Sequence, residues 1–160
     1  MIMKIQIANF GCIILVFLVS CSSSKTLPIT VDKVTQKVQS KDFTISVDFA
    51  NPLRGRQISL TSEYDLKIKN DSVFAYLPYY GVAYVAPYGT SDGGIKFSEP
   101  AKEYSIVPNK RNNGWDIRFK INSKEYQYDF FVSIFNNGSS SFIVNSNQRD
   151  AISFSGEIKL

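Results

Sequence analysis

From Asp42 to the C-terminus, apolar side chains recur at every second position. "FTISVDF" puts Phe43, Ile45, Val47 and Phe49 on one face, "YDLKI" puts Tyr64, Leu66 and Ile68, and "WDIRFKI" puts Trp115, Ile117, Phe119 and Ile121. The intervening Glu63, Asp65 and Lys67, or Asp116, Arg118 and Lys120, then face water. A period of two with one polar face is the pattern of half-buried antiparallel strands. "YQYDFFVSIF" departs from it: Tyr126, Tyr128, Phe130, Val132 and Ile134 form one stripe, but Phe131 and Phe135 lie on the other. This strand is expected to be covered on both sides.

Turn chemistry separates the runs, with "KND", "NKRNNG", "NSK", "NNGSS" and "NSNQRD" supplying residues that tolerate tight turns. Strands are expected near 43–49, 56–60, 64–69, 72–77, 82–86, 94–97, 103–107, 115–121, 125–135, 141–145 and 151–158. About ten short strands with short connections predict an all-β domain, an antiparallel meander forming a sandwich or small barrel. Ahead of it the period is helical. Val31, Val34 and Val38 share a face, with Thr30 available as N-cap. Three valines make a weak helix, so a short N-terminal helix is expected only if its valine face docks on the sheet. The outer side of the Tyr126–Phe135 strand is one such place.

The first residues carry a different pattern. A mostly apolar run from Ile5 to Val19, with Lys4 as the only charge before it, closes on Leu18, Val19, Ser20 and Cys21. The run is short for a span and reads as a secretory signal. Its last four residues resemble a bacterial lipobox, in which the cysteine becomes the lipidated N-terminus. The expected organisation is a cleaved signal peptide over 1–20, a lipidated flexible stalk over 21–30 and a single β-domain over 31–160. Acyl burial at about 0.8 kcal/mol per methylene makes several chains a stable tether to a membrane. "SSSKTLPIT" lacks the acidic residues of some surface-export signals, which favours the periplasmic face of the outer membrane.

Composition then removes several kinds of chemistry. The chain has 18 Lys and Arg against 14 Asp and Glu. Without Lys4 the balance is near +3, dispersed, and unlike a nucleic-acid protein. The cysteines are Cys12, inside the signal, and Cys21, so the β-domain holds no disulfide. There is no histidine, which excludes His-dependent triads and the usual zinc sets. An enzyme is therefore not expected, and no cofactor or metal is implied.

"KDFTISVDFANPLRGRQISLTSEYDLKIKNDSVFAYLPYYGVAYVAPYGTSDGGIKF", Lys41 to Phe97, and "VNSNQRDAISFSGEI", Val144 to Ile158, carry a more specific signal. They resemble a bacterial lipoprotein family catalogued as domain of unknown function number 4251, through the RG pair, the "LTSEY" run, the "DSV" to "APYG" segment and "GGIKF". The resemblance spans nearly all of the mature domain. It implies no activity, and no catalytic residue comes with it.

The candidate sites follow from the residues themselves. "AYLPYYGVAYVAPYG" packs five tyrosines, Tyr76, Tyr79, Tyr80, Tyr84 and Tyr88, into an uncharged segment bent by prolines and glycines. Such rings either present a surface that stacks on sugars or holds a partner protein or small amphiphile, or Tyr76, Tyr80 and Tyr84 fill the barrel mouth with their hydroxyls on backbone. Both readings stay open. Arg54 and Arg56 flank Gly55 and suit an anion, with Arg149 as a third contributor; a solvated hairpin tip is the plainer reading. Asp71, Ser72 and Val73 resemble a short O-glycosylation acceptor at Ser72. "GTSDGGIK" lacks the lysine of a phosphate loop, and "NSNQRD" lacks the glycine and glutamate of a calcium loop. Glu63 and Asp65 share a strand region with Lys67 and Lys69 and read as a solvated charge ladder.

Overall fold

The computed structural model describes residues 28–84, 93–123 and 126–160. One helix, α1 (Pro28–Gln39), precedes β1 (Asp42–Pro52), β2 (Ile58–Ser59), β3 (Asp65–Lys69), β4 (Ser72–Leu77), β5 (Ile95–Pro100), β6 (Lys102–Pro108), β7 (Gly114–Asn122), β8 (Gln127–Phe135), β9 (Ser139–Ser146) and β10 (Ile152–Ile158). The strands form one antiparallel sheet in the order β5-β4-β3-β1-β10-β9-β8-β7-β6, with β2 paired to β1. Its two ends, β5 and β6, are joined by Ala101 alone. One extended stretch therefore pairs with β4 through its first half, Leu77 opposite Ile95, and with β7 through its second, Pro108 opposite Trp115. That shared stretch nearly closes the sheet into a barrel and leaves little free edge.

Alternation becomes burial in this barrel. Ile45, Leu66, Ile68, Val73, Leu77, Ile95, Ile117, Ile121 and Ile134 are fully enclosed. Between them runs a series of rings. Tyr104 stacks on Phe119 at 5.7 Å, Phe119 on Phe130 at 4.9 Å, Phe130 on Phe142 at 6.5 Å and Phe142 on Phe154 at 5.1 Å. Phe97, from β5, packs edge-on against Phe130 at 5.8 Å. The interior is thus filled by side chains, and offset or edge contacts of this kind add to what burial alone supplies.

The helix occupies one end of the barrel. Pro28, at its first position, needs no partner for a missing N–H, so the helix starts two residues before Thr30, the expected N-cap. Val34 and Val38 are buried in the common core. Val31 borders a recess shared with Phe135, Asn136 and Ser139. At the other end of the helix, Lys41 takes φ 52° and leaves the helical path. Its carbonyl accepts the Asn70 N–H at 2.8 Å and its ammonium lies 3.3 Å from Asp71. The helix thus runs from the β8–β9 turn to the β3–β4 turn, across the barrel end. It does not cover the outer face of β8, where Phe131 stays exposed beneath the Arg118 guanidinium at 5.3 Å.

Two further expectations are corrected. Phe49 is 38% exposed and not on the inner face. The β1–β10 register shifts between Val47 and Phe49, so a bulge at Asp48 turns Phe49 outward and returns Ala50 to the core. Gly156, opposite Val47, allows it: a Cβ there would overlap the Ser46 carbonyl. A strand over 82–86 does not form in its described part, which holds a single bridge, Ala83 to Arg149.

The Tyr104 hydroxyl is buried without a hydrogen-bond partner, and burial pushes its phenol up from 10.0 to about 12. A raised phenol favours the folded state below pH 10, and that contribution is lost as pH rises from 10 towards 12. Tyr104→Phe removes the unpaired group, so urea unfolding at pH 7 should show unchanged stability or a gain of about 1 kcal/mol. The variant should also lose less stability than the parent between pH 10 and pH 12.

Candidate functional site

At the barrel end opposite α1, the chain leaves β4 at Leu77 and crosses towards the β9–β10 connection. Pro78, which offers no N–H, ends the pairing. The segment 79–84 then lies against 148–150. Tyr84 N–H donates to Gln148 O at 2.8 Å, and Asp150 N–H donates to Val82 O at 3.0 Å. Gly81 packs so closely on the Tyr79 ring that a Cβ there would lie 2.6 Å from its hydroxyl oxygen.

Two charged residues of that connection anchor the strap from below. Asp150 is 5% exposed. Its carboxylate accepts the Val82 N–H at 3.4 Å and the Tyr84 hydroxyl, and its carbonyl accepts the Tyr79 hydroxyl at 3.0 Å. The Tyr79 hydroxyl also reaches Val82 O at 3.1 Å. Arg149 is 4% exposed, with its guanidinium 3.8 Å from the Tyr126 ring centre and 4.7 Å from that of Tyr79. One terminal nitrogen donates to Gly93 O at 3.2 Å, and Nε is buried without a partner. A desolvated guanidinium between two ring faces is held by cation–π attraction.

These contacts also set the phenols. Burial is the main reason the Tyr79 phenol ionises above its usual 10.0; the Arg149 charge works against it, and Asp150 and Tyr84 work with it. Tyr84 is raised mainly by donating to Asp150, which favours the neutral phenol, and the nearby Arg54 charge opposes that shift.

The expected tyrosines therefore divide. Tyr76, Tyr80 and Tyr84 do not fill the barrel mouth; among the described tyrosines of the segment it is Tyr79, outside that expectation, whose hydroxyl lies on backbone carbonyls. Tyr76, Tyr80 and Tyr84 are exposed, Tyr84 at 64%. Tyr88 and Cys21 lie outside the described residues. Arg54 and Arg56 are both exposed in the turn after β1, with Gly55 at φ 123°. Arg54 comes within electrostatic reach of Tyr84, so one arginine joins the tyrosine surface. Arg149 is an internal anchor and not part of an exposed cationic tip. Ser72 opens β4, half-buried and paired in register with Lys69 and Pro100. The sequence reading passes over Asp150 and takes Tyr126 only as part of an inward stripe, not as a face for Arg149. "NSNQRD" shows a turn but not that its last residue, Asp150, reaches 66 and 68 positions back to Tyr84 and Val82.

A ring-filled antiparallel sheet, nearly closed into a barrel, with a helix across one end and a strapped loop across the other defines a small all-β domain. This chain belongs to the family described as Domain of unknown function (DUF4251), whose profile matches residues 30–158. A crystal structure of a DUF4251 family protein from Bacteroides eggerthii shares the fold, with a TM-score of 0.64 and 16% identity over 81% of this chain and 87% of that one. No curated protein matches the chain.

Arg149→Met keeps an unbranched apolar stem but removes the cation and its hydrogen bond to Gly93 O. Losing a desolvated cation–π contact and a charged hydrogen bond should cost about 2–4 kcal/mol. Denaturant unfolding measures it, and amide exchange should show the loss concentrated in 79–84 and 148–150.

Proposed function

We propose that the domain is a non-enzymatic binding module, lipid-anchored at Cys21 to the outer membrane and most readily periplasm-facing, that holds a partner protein on the barrel end opposite α1. One observation carries this reading. Tyr80, Val82 and Tyr84 are exposed on a short strap whose backbone is held by two buried charged residues, with the exposed Arg54 within electrostatic reach of Tyr84. Rigid aromatic and arginine side chains on a fixed base lose little entropy on binding and are common anchors of protein interfaces. The filled interior favours a protein over an amphiphile, because an acyl chain would have to displace the stacked rings. A stalk ahead of α1 would also turn the strap away from the membrane that holds it.

A photocrosslinker at position 84, in intact cells, should yield one dominant protein adduct, and the same group at Ile143 on the side of the barrel should not. Val82→Asp should reduce binding of that protein at least about tenfold while the melting temperature stays near the parent's. Equal adducts from both positions, or binding that tolerates Val82→Asp, would contradict the reading.

A second reading rests on the exposed Arg54 and Arg56, of which Arg54 is within electrostatic reach of Tyr84. An envelope assembly factor would use Arg54 and Arg56 on anionic wall or headgroup groups. Its association with anionic vesicles would weaken steeply with salt and vanish on reversal of both charges, whereas the partner-protein reading predicts little change.

A further inference from the structure

The turn between β6 and β7, residues 109–113, stands at the end of the barrel where α1 begins, since Val31 and Asn113 border one recess. Its backbone is bonded to itself and to the neighbouring turn. Asn109 N–H donates to Gly114 O at 3.0 Å, and Asn112 N–H donates to Asn109 O at 2.9 Å. The Asn109 side chain accepts the Asn113 N–H at 3.0 Å and donates to the Asn113 side chain at 2.6 Å. From the β8–β9 turn, Asn136 N–H donates to Asn113 O at 2.9 Å. Gly114 seats the base of the turn, because a Cβ there would overlap the Ile134 carbonyl.

The asparagines are thus taken up in holding the turn, whereas Lys110 and Arg111 at its tip are not. Both are exposed, and among the described residues neither side chain forms an ion pair or a hydrogen bond. The flanking carboxylates are already engaged: Glu103 lies 2.6 Å from the Lys120 ammonium, and Asp116 accepts the Ser133 hydroxyl at 2.8 Å. On α1, exposed Asp32 and Lys33 offset one another, and Lys37 adds a cation. At the foot of the turn, Val107 is 50% exposed and Pro108 is exposed beside it. The result is a fixed tip with two uncompensated cations and an apolar flank.

Each feature restricts the partner. The cations suit phosphate oxygens, Arg111 as a fork and Lys110 as a point charge. Apolar side chains next to cations favour the boundary between headgroups and acyl chains. Two basic residues hold a free protein to an anionic surface only weakly, but a tether supplies the effective concentration that makes so weak a contact count. The residues ahead of Pro28 join the domain at this same end. We propose that the β6–β7 tip contacts the anionic phospholipid headgroups of the membrane that tethers the domain, with Lys110 and Arg111 on phosphates and Val107 and Pro108 at the acyl boundary. The inference rests on the tethered reading above and adds what a flexible tether does not give, a fixed orientation on the bilayer with the strap pointing away.

Trp115, the chain's single tryptophan, is half-buried opposite Pro108 and reports on the tip without a label. The protein, purified from cell envelopes in detergent, is reconstituted into vesicles with a nitroxide on some headgroups, made of phosphatidylcholine alone or with about 30% phosphatidylglycerol. Quenching of Trp115 should be at least about threefold stronger on the anionic vesicles and fall to the neutral level in about 0.5 M salt. Lys110→Gln with Arg111→Gln should remove the difference, while Arg54→Gln with Arg56→Gln at the other end should leave it intact. All four side chains are exposed, so the variants should melt with the parent, and Lys110→Arg, which keeps the charge, should keep the quenching. Flotation with the neutral vesicles reads the tether on its own, so a missing tether and an idle tip give different results. Quenching that is equal on the two vesicle types, insensitive to salt, or undiminished by the double substitution at 110 and 111 would overturn the proposal.

Discussion

Rings stacked from Tyr104 through Phe119, Phe130 and Phe142 to Phe154 link five neighbouring strands across the inside of the sheet. With no disulfide and a helix too valine-rich to stand alone, the barrel depends on this contact series for its stability and shape. Filling the interior has a consequence for the surface. With the lumen occupied, the ends and the outer face are where loops and outward side chains can vary without disturbing the rings.

The two ends are built differently. At one, α1 lies across the opening with Val34 and Val38 as its apolar footing. At the other, the closure is polar: Arg149 between two rings, and Asp150 accepting from Val82 and Tyr84. A polar anchor of this kind fixes geometry more sharply than apolar packing, because each partner has a direction as well as a distance. The strap that results is a fixed platform that carries exposed Tyr80, Val82 and Tyr84 on its outer side.

Much of this fold is legible in the sequence because burial in a strand has a period of two. Ile117, Phe119 and Ile121 are inward where alternation puts them, as are Tyr128, Phe130, Val132 and Ile134. Alternation fails at Phe49, where one extra residue in β1 reverses the phase; the cause, Gly156, lies over a hundred residues away. The outward Phe131 shows the other limit: an apolar residue off the main stripe reads as a second buried face, yet it stays exposed with only an arginine guanidinium over its ring. At the site, the tyrosine cluster was visible as composition, but not which ring points where. Tyr79 turns in because Asp150 O and Arg149 meet it, and those partners come from a turn that reads as ordinary.

The filled interior is tested most directly at Phe130, which touches Phe97, Phe119, Tyr128 and Phe142. Equilibrium denaturation of Phe130→Ala, against the parent, should show a loss of about 3–5 kcal/mol, the usual cost of emptying a ring-sized volume in a close-packed core. A loss below about 1 kcal/mol would mean that the rings are not packed against one another, and that the barrel has the lumen this account denies it.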